Sequence, residues 1–171
     1  MQLIANYTPD LELYSIDEAF IKINSNENIE HESLITKVKR EIEKGIGIPI
    51  SIGVAPTKSL AKVANRIVKK YPKRTKGVYF IDSEEKSNIA LKWLKVSDIW
   101  GIGRRLSKRL KEHGINNAFA FCSQNDQWIK NKFSIVELRL KQDLCGIPRM
   151  KLEEVKQKKS ISCTRSFEKT Y

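Results

Sequence analysis

Asp17 and Glu18 stand side by side inside "LYSIDEAFIKI", residues 13–23, an otherwise apolar, strand-like run. Adjacent carboxylates repel each other, so a sheet tolerates the pair only where something compensates. In a straight strand consecutive side chains point to opposite faces and could not cooperate. At a tight hairpin turn through Ser15, Ile16, Asp17 and Glu18 that alternation lapses, and both acids converge at one end of the sheet. Two divalent cations about 3.5–4 Å apart would offset the repulsion and give a two-metal phosphoryl-transfer site. Hard carboxylate oxygens suit Mg2+ for that task. The plainer reading is a solvent-facing turn that Glu18 merely decorates.

A second constellation follows "IGVAPTK". Lys58, Lys62, Arg66 and Lys69 fall within an arc of about 80° on a helix, while Leu60, Ala61, Val63, Ala64, Ile67 and Val68 occupy the opposite side. Such a helix packs its apolar face on a sheet and presents a row of cations, suited to a triphosphate or a nucleic-acid backbone, or simply to water.

A third is "DIWGIGRRLSKRLKEHGI". Gly101 and Gly103 bracket one apolar residue directly before a helix, so the backbone turns tightly and aims free N–H groups at an anion. Arg104, Lys108 and Lys111 share one face of that helix, with Leu106 and Leu110 turned inward. A helix, glycine hairpin and helix in this order form a helix-hairpin-helix, which grips DNA phosphates without reading bases.

The elements that must position these groups read as strand, strand, helix, strand, helix, strand. Strands are expected at 11–14, 18–23, across "IPISIGVAP" and at "GVYFID". Ser33 is expected to cap a helix through about Lys44, and a second helix runs from about Lys58 to Tyr71. This is an α+β arrangement, a sheet with two helices on one face. After Asp82 the strands give way to helical segments through about Leu144, with Asp82 itself read as a helix cap. A boundary near residue 83 is expected, and the alternation of Ile161, Cys163 and Arg165 suggests a strand without a partner in this chain.

The 171 residues carry 32 Lys and Arg against 20 Asp and Glu, a net charge of +12. That balance favours polyanionic partners. Residues 1–82 hold 13 basic and 10 acidic side chains, and residues 83–171 hold 19 and 10, so most anion contacts are expected in the second half. Cys122, Cys145 and Cys163 are too few and too scattered for a zinc site or a disulfide framework, which fits a reducing cytoplasm. No apolar run reaches the roughly 18 residues of a membrane span. His31 and His113 receive no role.

Together these motifs resemble the Y-family translesion DNA polymerases of the bacterial UmuC type. "YSIDEAF" is similar to the family's S-x-D-E active-site hairpin, "ISIGVAPTKSLAKVAN" to its following strand and helix, "IWGIGRRLSKRL" to its thumb, and "LEEVKQKKSISCTRSF" to the entry into its little finger. The resemblance implies residues 1–82 as part of a palm, 83–159 as a helix-hairpin-helix thumb and 160–171 as the start of a little finger. It implies Asp17 and Glu18 as metal-binding catalytic acids and Lys69 as a contact to the incoming nucleotide's triphosphate. Gly101 and Gly103, with Arg104 and Lys108 behind them, would hold the DNA backbone. Lys62 matches a lysine of the same helix and is counted with the DNA-binding residues, its exact role left open.

The family's N-terminal D-x-D-x-F strand and its fingers have no counterpart here. The chain therefore reads as a polymerase fragment, expected to be inactive alone and to bind the two Mg2+ ions of a complete enzyme weakly or not at all. Implied partners are damaged primer–template DNA, an incoming dNTP, a sliding clamp and a UmuD-like accessory subunit. The implied location is the cytoplasm, at the nucleoid, with no membrane. The alternative is a non-catalytic, DNA-backbone-binding helix-hairpin-helix module. A nuclease is disfavoured, because nothing supplies a general base or further clustered acids.

Overall fold

The structure, a computed structural model, describes residues 2–23, 28–153 and 162–166. After a short helix, α1 (Gln2–Ala5), strands β1 (Leu11–Leu13) and β2 (Ala19–Ile21) pair antiparallel, with Leu13 opposite Ala19. The turn between them carries Ser15 to Glu18, and the N–H groups of Tyr14 and Ser15 both donate to the Glu18 carbonyl, at 3.1 and 3.0 Å. Helix α2 (Asn28–Ile46) follows, then β3 (Ile52–Val54), α3 (Lys58–Lys70), a short α4 (Pro72–Thr75) and β4 (Val78–Phe80). β3 and β4 pair in parallel, and α3 is the crossover between them. The α+β class expected from the sequence is therefore present, with its strands in two separate two-stranded ladders. Among the described residues no ladder joins β2 to β3.

Helix α3 forms where its sequence dictates. Thr57 caps it by accepting the Leu60 N–H at 3.3 Å. Leu60, Val63, Ala64, Ile67 and Val68 recur on one buried face. Pro72 ends it, because the residue before a proline avoids the helical region, and Tyr71 sits at φ −127°, ψ 55°. Gly53 is what lets α3 lie so close to β3. A Cβ there would fall 2.3 Å from the Asn65 nitrogen and 2.4 Å from the Ala61 oxygen, both backbone atoms.

Two capping expectations shift. Ser33 lies inside α2, which begins at Asn28, because the polar residues that read as a loop include good helix formers such as glutamate. Ser83 caps α5 (Glu84–Trp93) by accepting the Lys86 N–H, whereas Asp82 pairs with the Lys86 ammonium at 2.8 Å.

A 3-10 turn (Val96–Asp98) then leads to α6 (Arg104–Glu112), α7 (Ala118–Cys122), α8 (Asp126–Lys132) and α9 (Ile135–Leu144). No described helix is long and apolar enough to cross a membrane. One apolar core runs from Leu60 through Leu91, Ile102 and Phe121 to Leu144, so α3 shares its interior with α5 to α9 across residue 83. Asp143 ties these parts together. Fully buried, its carboxylate accepts the Ser59 N–H at 2.8 Å and the Arg149 N–H at 3.0 Å, while its carbonyl accepts the Thr57 hydroxyl at 2.7 Å. A carboxylate at the first turn of α3 also favours the helix dipole. The strand expected around Cys163 falls mostly outside the described residues, and 162–166 carry no strand.

Candidate functional site

The site is assembled from the β1–β2 turn, the polar face of α3 and the glycine turn before α6. Asp17 is fully exposed at the turn, and its Oδ1 accepts the Ser15 hydroxyl at 2.6 Å. That hydrogen bond, first among several causes that include the nearby Lys69 and Lys62, holds the Asp17 carboxyl below the ordinary aspartate range. Glu18 is half-buried and faces α3. Lys62 Nζ donates to its Oε2 at 2.7 Å, and Lys69 Nζ lies 3.7 Å from its Oε1. The charges that compensate the adjacent acids are therefore two lysines of the same chain.

The rest of the cation row is engaged in the same way. Lys58 donates to both oxygens of the buried Glu12, at 2.7 and 2.8 Å, and Arg66 pairs with Asp98 at 2.9 Å. The expected open row of cations is thus a row of ion pairs, because β1, the hairpin turn and the 3-10 turn each bring one acid against α3. Lys69 differs from the others: its side chain is 60% exposed and its pair is the longest of the four. Glu12 also accepts the Glu153 N–H at 2.7 Å, which fastens the segment after α9 to the hairpin.

Aromatic rings complete the site, and the sequence reading did not single them out. Tyr14, Phe20 and Trp100 stack edge-on or tilted, with centroids 5.5–5.7 Å apart. Lys62 Nζ sits 4.5 Å from the Tyr14 centroid and Lys58 Nζ 4.7 Å from that of Phe20, both within cation–π range. Trp100 directly precedes Gly101, whose φ of +90° needs glycine. Through Trp100 the glycine turn is brought beside the hairpin.

Gly103 is the N-terminal cap of α6 and offers no side-chain oxygen to the first N–H groups of that helix. Arg104, Lys108 and Lys111 are exposed and line one cleft with Ser97 and Ser107. Leu110 is buried and Leu106 half-buried, as the helical spacing implies. Arg109 turns away, donating to the Lys132 carbonyl at 2.7 Å.

The carboxylate donors do not fit a pair of divalent ions as they stand. Both come from one turn, Glu18 is already held by two ammonium groups, and among the described residues no cluster of three His, Cys, Asp or Glu could hold a metal.

Comparison with known proteins adds to this geometry. Residues 1–66 match the impB/mucB/samB family. The chain is 36% identical to the UmuC protein of Salmonella typhimurium over 98% of its own length, which is 40% of that protein. The fold superimposes on an insertion ternary complex of Dbh DNA polymerase with a TM-score of 0.70 and 27% identity, covering 86% of this chain and 42% of that one. A Y-family DNA polymerase chimera gives 0.71 and 26%, over 92% of this chain and 45% of the chimera. The chain thus spans about two fifths of the length of the relatives it matches.

Proposed function

The chain belongs to the UmuC-type Y-family DNA polymerases, and on that footing we propose that it is the hairpin-bearing palm portion and the thumb of an error-prone translesion polymerase. In this reading Asp17 and Glu18 are catalytic, metal-facing acids, Lys69 meets the triphosphate of an incoming dNTP, and Gly101, Gly103, Arg104 and Lys108 hold the backbone of damaged primer–template DNA. The division at residue 83 is a division of roles over one shared core.

A single observation carries the reading: Trp100 docks on Tyr14, so the residue that leads into the candidate phosphate grip is fastened to the residue that leads into the Asp17–Glu18 turn. Mg2+ is the ion that hard carboxylate oxygens favour. Two such ions require oxygen donors beyond Asp17 and Glu18, so the chain by itself is expected not to polymerise. A sliding clamp, a UmuD-like subunit, a part in the SOS response and a cytoplasmic, nucleoid-associated location rest on family resemblance alone.

The test is primer extension. The isolated chain should extend no primer. Residues 1–171 exchanged into the matching region of Salmonella UmuC should give template-dependent, Mg2+-dependent extension that Asp17→Ala abolishes. The competing reading, a non-catalytic helix-hairpin-helix module, is favoured by the ion pairs that occupy Glu18. DNA binding without extension by the exchanged protein would establish that module instead.

A further inference from the structure

We propose that Lys62 is a positioning residue, the permanent counter-ion of Glu18, and that Lys69 is an exchangeable one, which a polyphosphate draws off the same carboxylate. The two lysines lie seven residues apart on α3 and approach opposite oxygens of Glu18, yet their surroundings differ. Lys62 makes the 2.7 Å contact with a side chain only 16% exposed. Its ammonium lies 4.5 Å from the Tyr14 ring, 5.4 Å from Phe20 and 5.6 Å from Trp100. A desolvated ammonium between a carboxylate and three ring faces has no comparable place to go. Lys69 is 60% exposed and 3.7 Å away, an ion pair of the kind that solvent and other anions readily displace.

The consequence is a swap. When an anionic phosphate takes Lys69, Glu18 loses one of its two counter-charges but stays oriented by Lys62, which leaves Oε1 open for a new cationic partner. This deepens the polymerase reading by assigning the order of events at its acidic residue. Its test requires neither DNA nor catalysis, so it can fail independently of primer extension.

The experiment titrates the chain with inorganic tripolyphosphate while the lysine side-chain NH3+ resonances are followed by NMR. The Lys62 signal should be shifted by the aromatic rings and protected from exchange before and after titration, whereas the Lys69 signal should move and saturate. Glu18→Gln, which removes the competitor for Lys69, should tighten tripolyphosphate binding by about threefold or more. Lys62→Met should weaken it by about threefold, because Glu18 then falls wholly on Lys69, and Lys62→Arg or the double variant Lys62→Met with Glu18→Gln should restore it. If Lys62 shifts together with Lys69, or if Glu18→Gln binds no more tightly than the unmodified chain, the proposal is wrong. A loss that persists in the Lys62→Met, Glu18→Gln double variant would reduce Lys62 to a structural part of α3 and also overturn it.

Discussion

The Trp100 indole donates its N–H to the Tyr14 hydroxyl at 2.9 Å, with the two rings edge-on and 5.5 Å between centroids. This one contact joins the glycine turn before α6 to the end of β1. Trp100→Ala is expected to cost about 2 kcal/mol, part burial and part aromatic pairing, and Trp100→Phe about 1 kcal/mol, since it keeps a ring and loses the hydrogen bond. Urea unfolding followed by circular dichroism measures both, and equal losses would mean that the hydrogen bond carries the whole contact.

Asp17 depends on its neighbour two residues back. The Ser15 hydroxyl is the first cause of its lowered pKa, with the charges of Lys69 and Lys62 adding to it. Because the folded-state value is depressed, the stabilisation it contributes is present above the ordinary aspartate pKa and is lost as pH falls through the lowered value. Ser15→Ala should move the Asp17 carboxyl upward in a carbon-13 NMR titration. No movement would show that the backbone N–H of Asp17 and the two lysines hold its charge without Ser15.

Asp143 holds the first turn of α3 from the end of α9. Asp143→Ala strips the Ser59 and Arg149 N–H groups of their acceptor, and a buried donor left unpaired costs about 1–3 kcal/mol. A total loss of about 3 kcal/mol is expected in chemical denaturation. Asp143→Asn keeps an acceptor oxygen and should lose less than half as much.

The α6 cleft should bind DNA through phosphates. Each phosphate neutralised on a duplex contributes about 0.9 to the slope of log K against log salt. The Arg104→Ala, Lys108→Ala double variant should therefore flatten that slope by about 2, measured by fluorescence anisotropy at several salt concentrations. Arg109→Ala, on the face turned toward Lys132, should leave the slope unchanged. A slope untouched by the double variant would place the DNA contact elsewhere.

Cys145 and Cys122 interact at the end of α9 and the end of α7. A hydrogen bond from Cys122 lowers the Cys145 thiol to about 7, while the same interaction, with burial, pushes Cys122 up. Iodoacetamide should therefore label Cys145 at a rate that climbs through neutral pH, with Cys122 slow throughout, as read by peptide mass spectrometry. In Cys122→Ala the midpoint should rise toward that of a free thiol.

What could be read from residues alone was local. The 3.6-residue spacing of Leu60, Val63, Ile67 and the cations opposite, the turn at Ser15–Glu18 and the Gly101 bend each depend on a few neighbours, whose backbone preferences decide the outcome. The onset of α2 upstream of Ser33 and the cap at Ser83 rather than Asp82 escaped because each competing residue was locally acceptable.

The partners of the charges were not legible in this way. Lys62 finds Glu18 across 44 residues, Lys58 finds Glu12 across 46, Ser59 finds Asp143 across 84 and Trp100 finds Tyr14 across 86. With 32 basic and 20 acidic side chains, composition allows very many pairings. Only the packing of α3 against β3 and the shared helical core brings these few within hydrogen-bonding reach, because Coulombic and hydrogen-bond energies fall off steeply with distance and respond to burial that no linear pattern encodes.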